Sequence, residues 1–213
     1  MTVAVVWDGR LYSCAPLVEQ APTVASAFIL YSQCDPRWVS QIYAGSTTFG
    51  AAGCFVVCVS MMVSLAYAER IEPPEVAARL LEAGCFDGNL LSHPANIPKA
   101  YPQLTWDGAV HYRDRAANMD LVARHIAENG ACIAEIAFNP DRPVTWKGAD
   151  GETKWNQHFV LLTRVVGDDC EFADPWTGEL GMLTESRYYR ADWPKKASRI
   201  ITGLRLVGIA AED

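Results

Sequence analysis

Apolar and polar positions change their period near residue 130, which divides the chain into a helix-like first part and a strand-like second part. Val3 to Trp7 and Arg10 to Ser13 flank Asp8-Gly9, a dipeptide suited to a type I′ turn, so a hairpin is expected there. Pro16 and Pro22 then break the pattern. A short apolar run, Ala27 to Tyr31, leads into Ser32-Gln33-Cys34-Asp35-Pro36-Arg37-Trp38, where the residue before proline is driven out of helical geometry and a structured loop is expected. Gly45 to Gly53 is small and polar, as a loop is, and Cys54 to Arg70 is composed for a buried helix. Pro73-Pro74-Glu75 opens another helix, proline being tolerated in a first turn, and Gly84 closes it near Leu81. Gly84 to Tyr112 holds three prolines and little periodicity and reads as a linker. Asp114 to Asn129 sets Met119, Leu121, Val122 and Ile126 against Arg115, Arg124 and Glu128, an amphipathic helix with Gly130 as its stop.

After Gly130 the segments Ala131 to Phe138, His158 to Val166, Cys170 to Ala173 and Ile200 to Ile209 are short, rich in β-branched residues and separated by turns such as Gly167-Asp168-Asp169. Helices first and antiparallel strands second predict an α+β fold. No internal repeat or low-complexity segment interrupts it.

Composition narrows the class of protein. Of 213 residues, half are hydrophobic and a fifth charged, as in an ordinary globular enzyme. The net charge of -7, from 18 basic against 25 acidic side chains, repels phosphate backbones, so nucleic acid is not an expected partner. Seven cysteines are an odd number without framework spacing, which points to a reducing compartment. Met1 to Trp7 has no basic residue before its apolar run, so a cytoplasmic product without its own export signal is expected. The longest apolar run, Cys54 to Ala68, is interrupted by Ser60 and Ser64 and is shorter than the about 20 residues a membrane helix needs. The protein is therefore not expected to be membrane-integral.

The stretch Gly50-Ala51-Ala52-Gly53-Cys54-Phe55-Val56-Val57-Cys58 carries the first candidate chemistry. A thiolate at a helix N-terminus meets the positive end of the helix dipole and free backbone N–H groups. Cys54 has that place, with Gly53 before it to let a substrate backbone come close; Cys58, one turn inside, reads as packing. Free cysteine is also a common small core residue, so position by itself decides little. A nucleophile needs a base. His93 lies in the proline-rich linker, His111 beside Tyr112-Arg113, and His125 on the amphipathic helix in a solvated or capping role. His158 opens the apolar run Phe159-Val160-Leu161-Leu162, at the edge of the core. A hairpin through Gly167-Asp168-Asp169 would bring Asp174 to the same end as His158, where it could hold one imidazole nitrogen while the other faces Cys54. A turn residue before proline is the plainer reading of Asp174.

Tyr31-Ser32-Gln33-Cys34-Asp35-Pro36-Arg37-Trp38, Gly53-Cys54 at a helix start, His158-Phe159-Val160-Leu161-Leu162 and Asp174-Pro175-Trp176-Thr177-Gly178, in that order, resemble the peptidase C39-like proteins of the papain-like cysteine peptidase superfamily. The resemblance covers about Ile29 to Gly178 and implies a papain-like domain over 29–213, preceded by an extension over 1–28. It implies that Cys54 is the nucleophile, His158 general base and then acid, Asp174 its orienting group and Gln33 an oxyanion-hole donor beside the backbone N–H of Cys54. The implied activity is a thiol hydrolase acting on peptide or amide bonds, with no cofactor and with a peptide, protein or peptidoglycan peptide as partner. The family's exporter domains cut leader peptides after a double glycine, but no transmembrane segment or nucleotide-binding motif accompanies the domain here. Members in phage lysis proteins extend the implied roles to a virion-associated or wall-directed peptidoglycan peptidase.

Two other readings compete with it. A non-catalytic papain-like module would bind a peptide in a groove lined by Trp38, Trp146, Trp155 and Trp176. A metal site would use Cys54, Cys58 and His158, but no second ligand pair with suitable spacing follows.

Overall fold

The structure, a computed structural model, describes residues 4–7, 10–13, 28–112, 115–139, 145–147, 153–155 and 157–211. Strands β1 (Ala4–Trp7) and β2 (Arg10–Ser13) pair antiparallel, as expected of runs that flank Asp8-Gly9; that turn itself lies outside the described residues. Next come the hairpin β3 (Ile42–Ala44) and β4 (Thr47–Thr48), then α1 (Phe49–Ala52), α2 (Cys54–Ala66), α3 (Pro73–Glu82) and α4 (Ile97–Ala100). After them follow β5 (Leu104–His111), α5 (Met119–Asn129), β6 (Cys132–Ile136) and the small hairpin β7 (Thr145–Lys147) and β8 (Thr153–Trp155). The chain ends with β9 (His158–Val166), β10 (Asp169–Asp174), β11 (Glu179–Met182) and β12 (Ile201–Ile209). Six strands form one sheet in the order β11-β10-β9-β6-β12-β5, with every neighbouring pair antiparallel. This is an α+β fold.

Helix α2 is apolar on all sides because it is enclosed on all sides: every residue from Phe55 to Ser64 is buried. Its two serines find partners inside the core, Ser60 Oγ donating to the Val56 carbonyl at 2.8 Å and Ser64 Oγ accepting from the Ile71 N–H at 3.1 Å. No described helix is long and apolar enough to cross a membrane. One core joins α2 to Ile133, Phe159, Leu161 and Val207 on one sheet face. On the other face Ala134, Val160, Leu162 and Leu204 pack with Val122 of α5.

Several elements depart from the expected pattern. The presumed loop at 45–53 contains a hairpin, which Gly45 turns at a φ of +54°, and the short helix α1, capped by Thr48. The expected linker contains β5, an edge strand whose half-exposed alternation and Gly108 weaken its signal. Helix α5 starts at Met119, five residues after Asp114, because the Asn118 side chain accepts from the N–H groups of Asp120 and Leu121. His125 is buried, not solvated, with Nε2 3.0 Å from the Val207 carbonyl. Gly130 ends α5 in the left-handed conformation expected of it.

Candidate active site

Helices α1 and α2 meet at Gly53, which has ordinary right-handed geometry, φ -74° and ψ -6°. A glycine is needed there because a Cβ would stand 2.6 Å from the Phe49 carbonyl oxygen and 2.9 Å from its Cα. The close approach that Gly53 permits is thus between two turns of this chain, where the sequence suggested room for a substrate. Cys54 is the first residue of α2, so no carbonyl of α2 can accept its backbone N–H. Its side chain is half-buried, whereas Cys58 is fully buried in the core, where burial pushes its thiol well up.

His158 starts β9 and Asp174 ends β10. The two strands pair with Ala173 opposite Leu161, which brings both residues to one end of the hairpin, with His158 Nε2 2.9 Å from Asp174 Oδ1. With Nε2 so engaged, Nδ1 is the nitrogen left for Cys54, whose side chain lies close enough to act on the imidazole's proton affinity. Burial opposes the charged imidazole, but the Asp174 hydrogen bond, the neighbouring Cys54 thiol and the charges of both groups outweigh it, and the His158 pKa is pushed up to about 9. Burial acts on the Asp174 carboxyl in the opposite sense and is likewise outweighed, by His158 first, so that its pKa is lowered.

Asp174 is held by more than histidine. Its Oδ1 also accepts the Trp176 N–H at 2.8 Å, and its Oδ2 accepts the Tyr188 hydroxyl at 2.9 Å. Tyr188 is fully buried and its ring centre lies 5.0 Å from that of His158; Phe138 meets the imidazole edge-on at 5.6 Å. Trp176 packs one layer out, on Phe138 at 5.3 Å. Neither Tyr188 nor Phe138 carries a sequence signal, since Tyr188 follows an irregular turn and Phe138 lies just past β6.

Gln33 is brought to the same place by the loop that follows Asp174. The Gln33 N–H donates to the Pro175 carbonyl at 2.6 Å, Ser32 Oγ donates to the Trp176 carbonyl at 2.7 Å, and Gly178 fits where a Cβ would lie 3.2 Å from Ser32 Cβ. Trp38 is fully buried and ties the loop from within, Nε1 donating to the Ser32 carbonyl at 2.8 Å. It therefore lines no groove; the side chains of Trp146 and Trp155 lie outside the described residues. The Gln33 side chain is buried, and its Nε2 donates to the Gly50 carbonyl, four residues before Cys54, at 3.2 Å, while Oε1 has no partner. Gln33, Cys54, His158 and Asp174 thus share one site, although 141 positions separate the first from the last (174 − 33). Among the described residues no three His, Cys, Asp or Glu side chains are grouped to hold a metal ion.

No protein-family model and no curated protein matches this chain. A solved structure of a candidate C39-like peptidase from Bacillus anthracis is similar at 10% identity, covering 87% of this chain and 98% of that one with a TM-score of 0.44. A likeness at that level carries no argument about the site, which stands on its geometry.

Proposed function

We propose that the protein is a cysteine hydrolase of peptide or amide bonds, with the papain-like architecture and C39-like relationship that its motifs resemble. The observation that carries the reading is the buried His158–Asp174 hydrogen bond with the Cys54 thiol, at the first residue of α2, next to the imidazole. In this reading His158 Nδ1 takes the thiol proton and the Cys54 sulfur attacks the substrate carbonyl carbon. The resulting oxyanion is received by the Cys54 backbone N–H and Gln33 Nε2. Collapse of the tetrahedral species breaks the C–N bond while the imidazolium gives its proton to the leaving amine. Water, deprotonated by His158, then cleaves the thioester to release the carboxylic acid and regenerate the thiol. Asp174, fixed by Trp176 and Tyr188, keeps the imidazole oriented throughout.

A peptidoglycan peptide as substrate, and a cytoplasmic product later released to the wall or carried in a virion, belong to the same proposal and rest on the occurrence of C39-like domains in phage lysis proteins. The test is iodoacetamide alkylation at pH 6.5, each of the seven cysteines read separately by mass spectrometry. Cys54 should be labelled ahead of the others, the His158→Ala variant should lose that lead, and Cys54→Ala should abolish peptide cleavage. Cys34 is the internal control: it is half-buried and adjoins Gln33, but burial and the Asp174 charge push its thiol up. Labelling of Cys54 no faster than Cys34 rejects the hydrolase and favours a peptide-binding module.

A further inference from the structure

Arg187 has no part in the chemistry above, yet it stands at the rim of the site. Its guanidinium carbon lies 5.0 Å from the ring centre of Tyr188, 5.2 Å from that of Phe138 and 5.3 Å from that of Trp176. The first two rings flank His158, and the third sits on the turn whose N–H holds Asp174. The Trp176 carbonyl accepts from Ser32 Oγ at 2.7 Å, which places the third ring beside the Gln33 loop.

The side chain is exposed, and no carboxylate among the described residues lies within ion-pair distance of it. By contrast Arg37, Arg79, Arg164 and Arg205 each meet one at 3.0 Å or less. Ring faces fix a planar guanidinium and strip part of its hydration while leaving N–H groups at its edge free for a bidentate acceptor. The acceptor that matches this fork is a carboxylate. In a chain of net charge -7, a cation held here gives an anionic group a local point of attraction against the overall sign.

We propose that Arg187 is a specificity-determining residue that receives a substrate carboxylate beside the Cys54 and His158 pair, so that the site selects peptides presenting a carboxylate there. The inference rests on the hydrolase reading for its chemistry, while its test is separable from turnover. The carboxylate is either an Asp or Glu side chain or a free chain end.

The experiment measures how well peptides protect Cys54 from iodoacetamide, in the wild type and in Arg187→Gln and Arg187→Lys. One series is C-terminally amidated and differs by one Glu-to-Gln exchange; a second has no acidic side chain and compares a free with an amidated C-terminus. In at least one series the wild type should be half-protected by the carboxylate form at about tenfold lower concentration, as one charge-assisted contact allows. That ratio should fall to near one in Arg187→Gln and be partly kept in Arg187→Lys. The series showing the preference identifies the carboxylate's source. A ratio near one in both series of the wild type, or the same ratio in Arg187→Gln, overturns the inference. Cleavage of the same peptides is followed in parallel. Charge-selective protection without cleavage keeps the Arg187 assignment and rejects the hydrolase; cleavage without charge preference does the reverse.

Discussion

The Phe55 and Phe159 rings lie 4.8 Å apart, tilted by 31°, and each belongs to the residue directly after a member of the candidate pair, Cys54 on α2 and His158 on β9. This stack joins the start of the buried helix, which carries the thiol, to the start of the central strand, which carries the imidazole. Arg205 lies over the Phe159 ring at 5.1 Å and pairs with buried Glu135 at 2.6 Å, so the strand residue is also fixed from its own sheet.

Phe159→Leu keeps much of the apolar volume and removes the ring contact. Its stability cost should be modest, about 1 kcal/mol for a shape change in a packed core. Cys54 alkylation at pH 6.5 should slow by a larger factor than in a control such as Leu161→Met, which is buried on the same strand. Equal slowing in the two variants would show that the stack does not position the pair.

Gly53→Ala should destabilise although the backbone there suits alanine. With φ at -74°, the loss of unfolded-state freedom would favour alanine by about 0.4–1 kcal/mol. The added methyl, however, meets the Phe49 backbone at 2.6 Å, and overpacking against main chain costs about 1–3 kcal/mol. Urea unfolding of the variant should show a net loss; a gain would mean that the joint between α1 and α2 relaxes freely.

Tyr188→Phe removes one of the three donors to the Asp174 carboxylate and little volume. A buried hydrogen bond to a charged group is worth about 1.5–3 kcal/mol, so unfolding at pH 7 should register a loss of that order. Because Asp174 is held below its ordinary pKa, the donor's contribution is present above that value and fades as pH falls through the folded one. An unchanged unfolding midpoint at pH 7 would refute the assignment.

The His158 and Asp174 pair gives stability a dependence on alkaline pH. His158 rises from an ordinary 6.5 to about 9 in the folded protein. A raised folded pKa stabilises fully below the ordinary value and loses that contribution as pH rises through the folded one. The difference in denaturant midpoint between wild type and Asp174→Asn should accordingly be larger at pH 6 than at pH 9.5. A difference that is constant across this range would place no charge on the imidazole.

Local pattern made the strand-rich half legible. Strands β9, β10 and β12 fall within one residue of their expected bounds, because β-branched runs between turn residues report strands without reference to distant contacts. The start of α2 and the end of α5 were legible for a similar reason, since an apolar run after Gly53 and a glycine at 130 act within a few residues. Strand β5 was not, because an edge strand with one wet face has little hydrophobic signature of its own.

Sequence by itself determined which residue types could do chemistry and, through the β9–β10 hairpin, that His158 and Asp174 share an end; hairpin register is a local property. Tertiary structure decided the rest. That Gln33 comes to lie between the loop after Asp174 and the Gly50 carbonyl depends on Ser32 and Gln33 bonding the carbonyls of Trp176 and Pro175, more than 140 positions away. That Tyr188 and Phe138 enclose the imidazole, and that Arg187 rests on their rings, depends on where irregular segments pack. Such contacts have no periodicity to read, because they arise from separate segments closing on one another and not from the repeat of any one element.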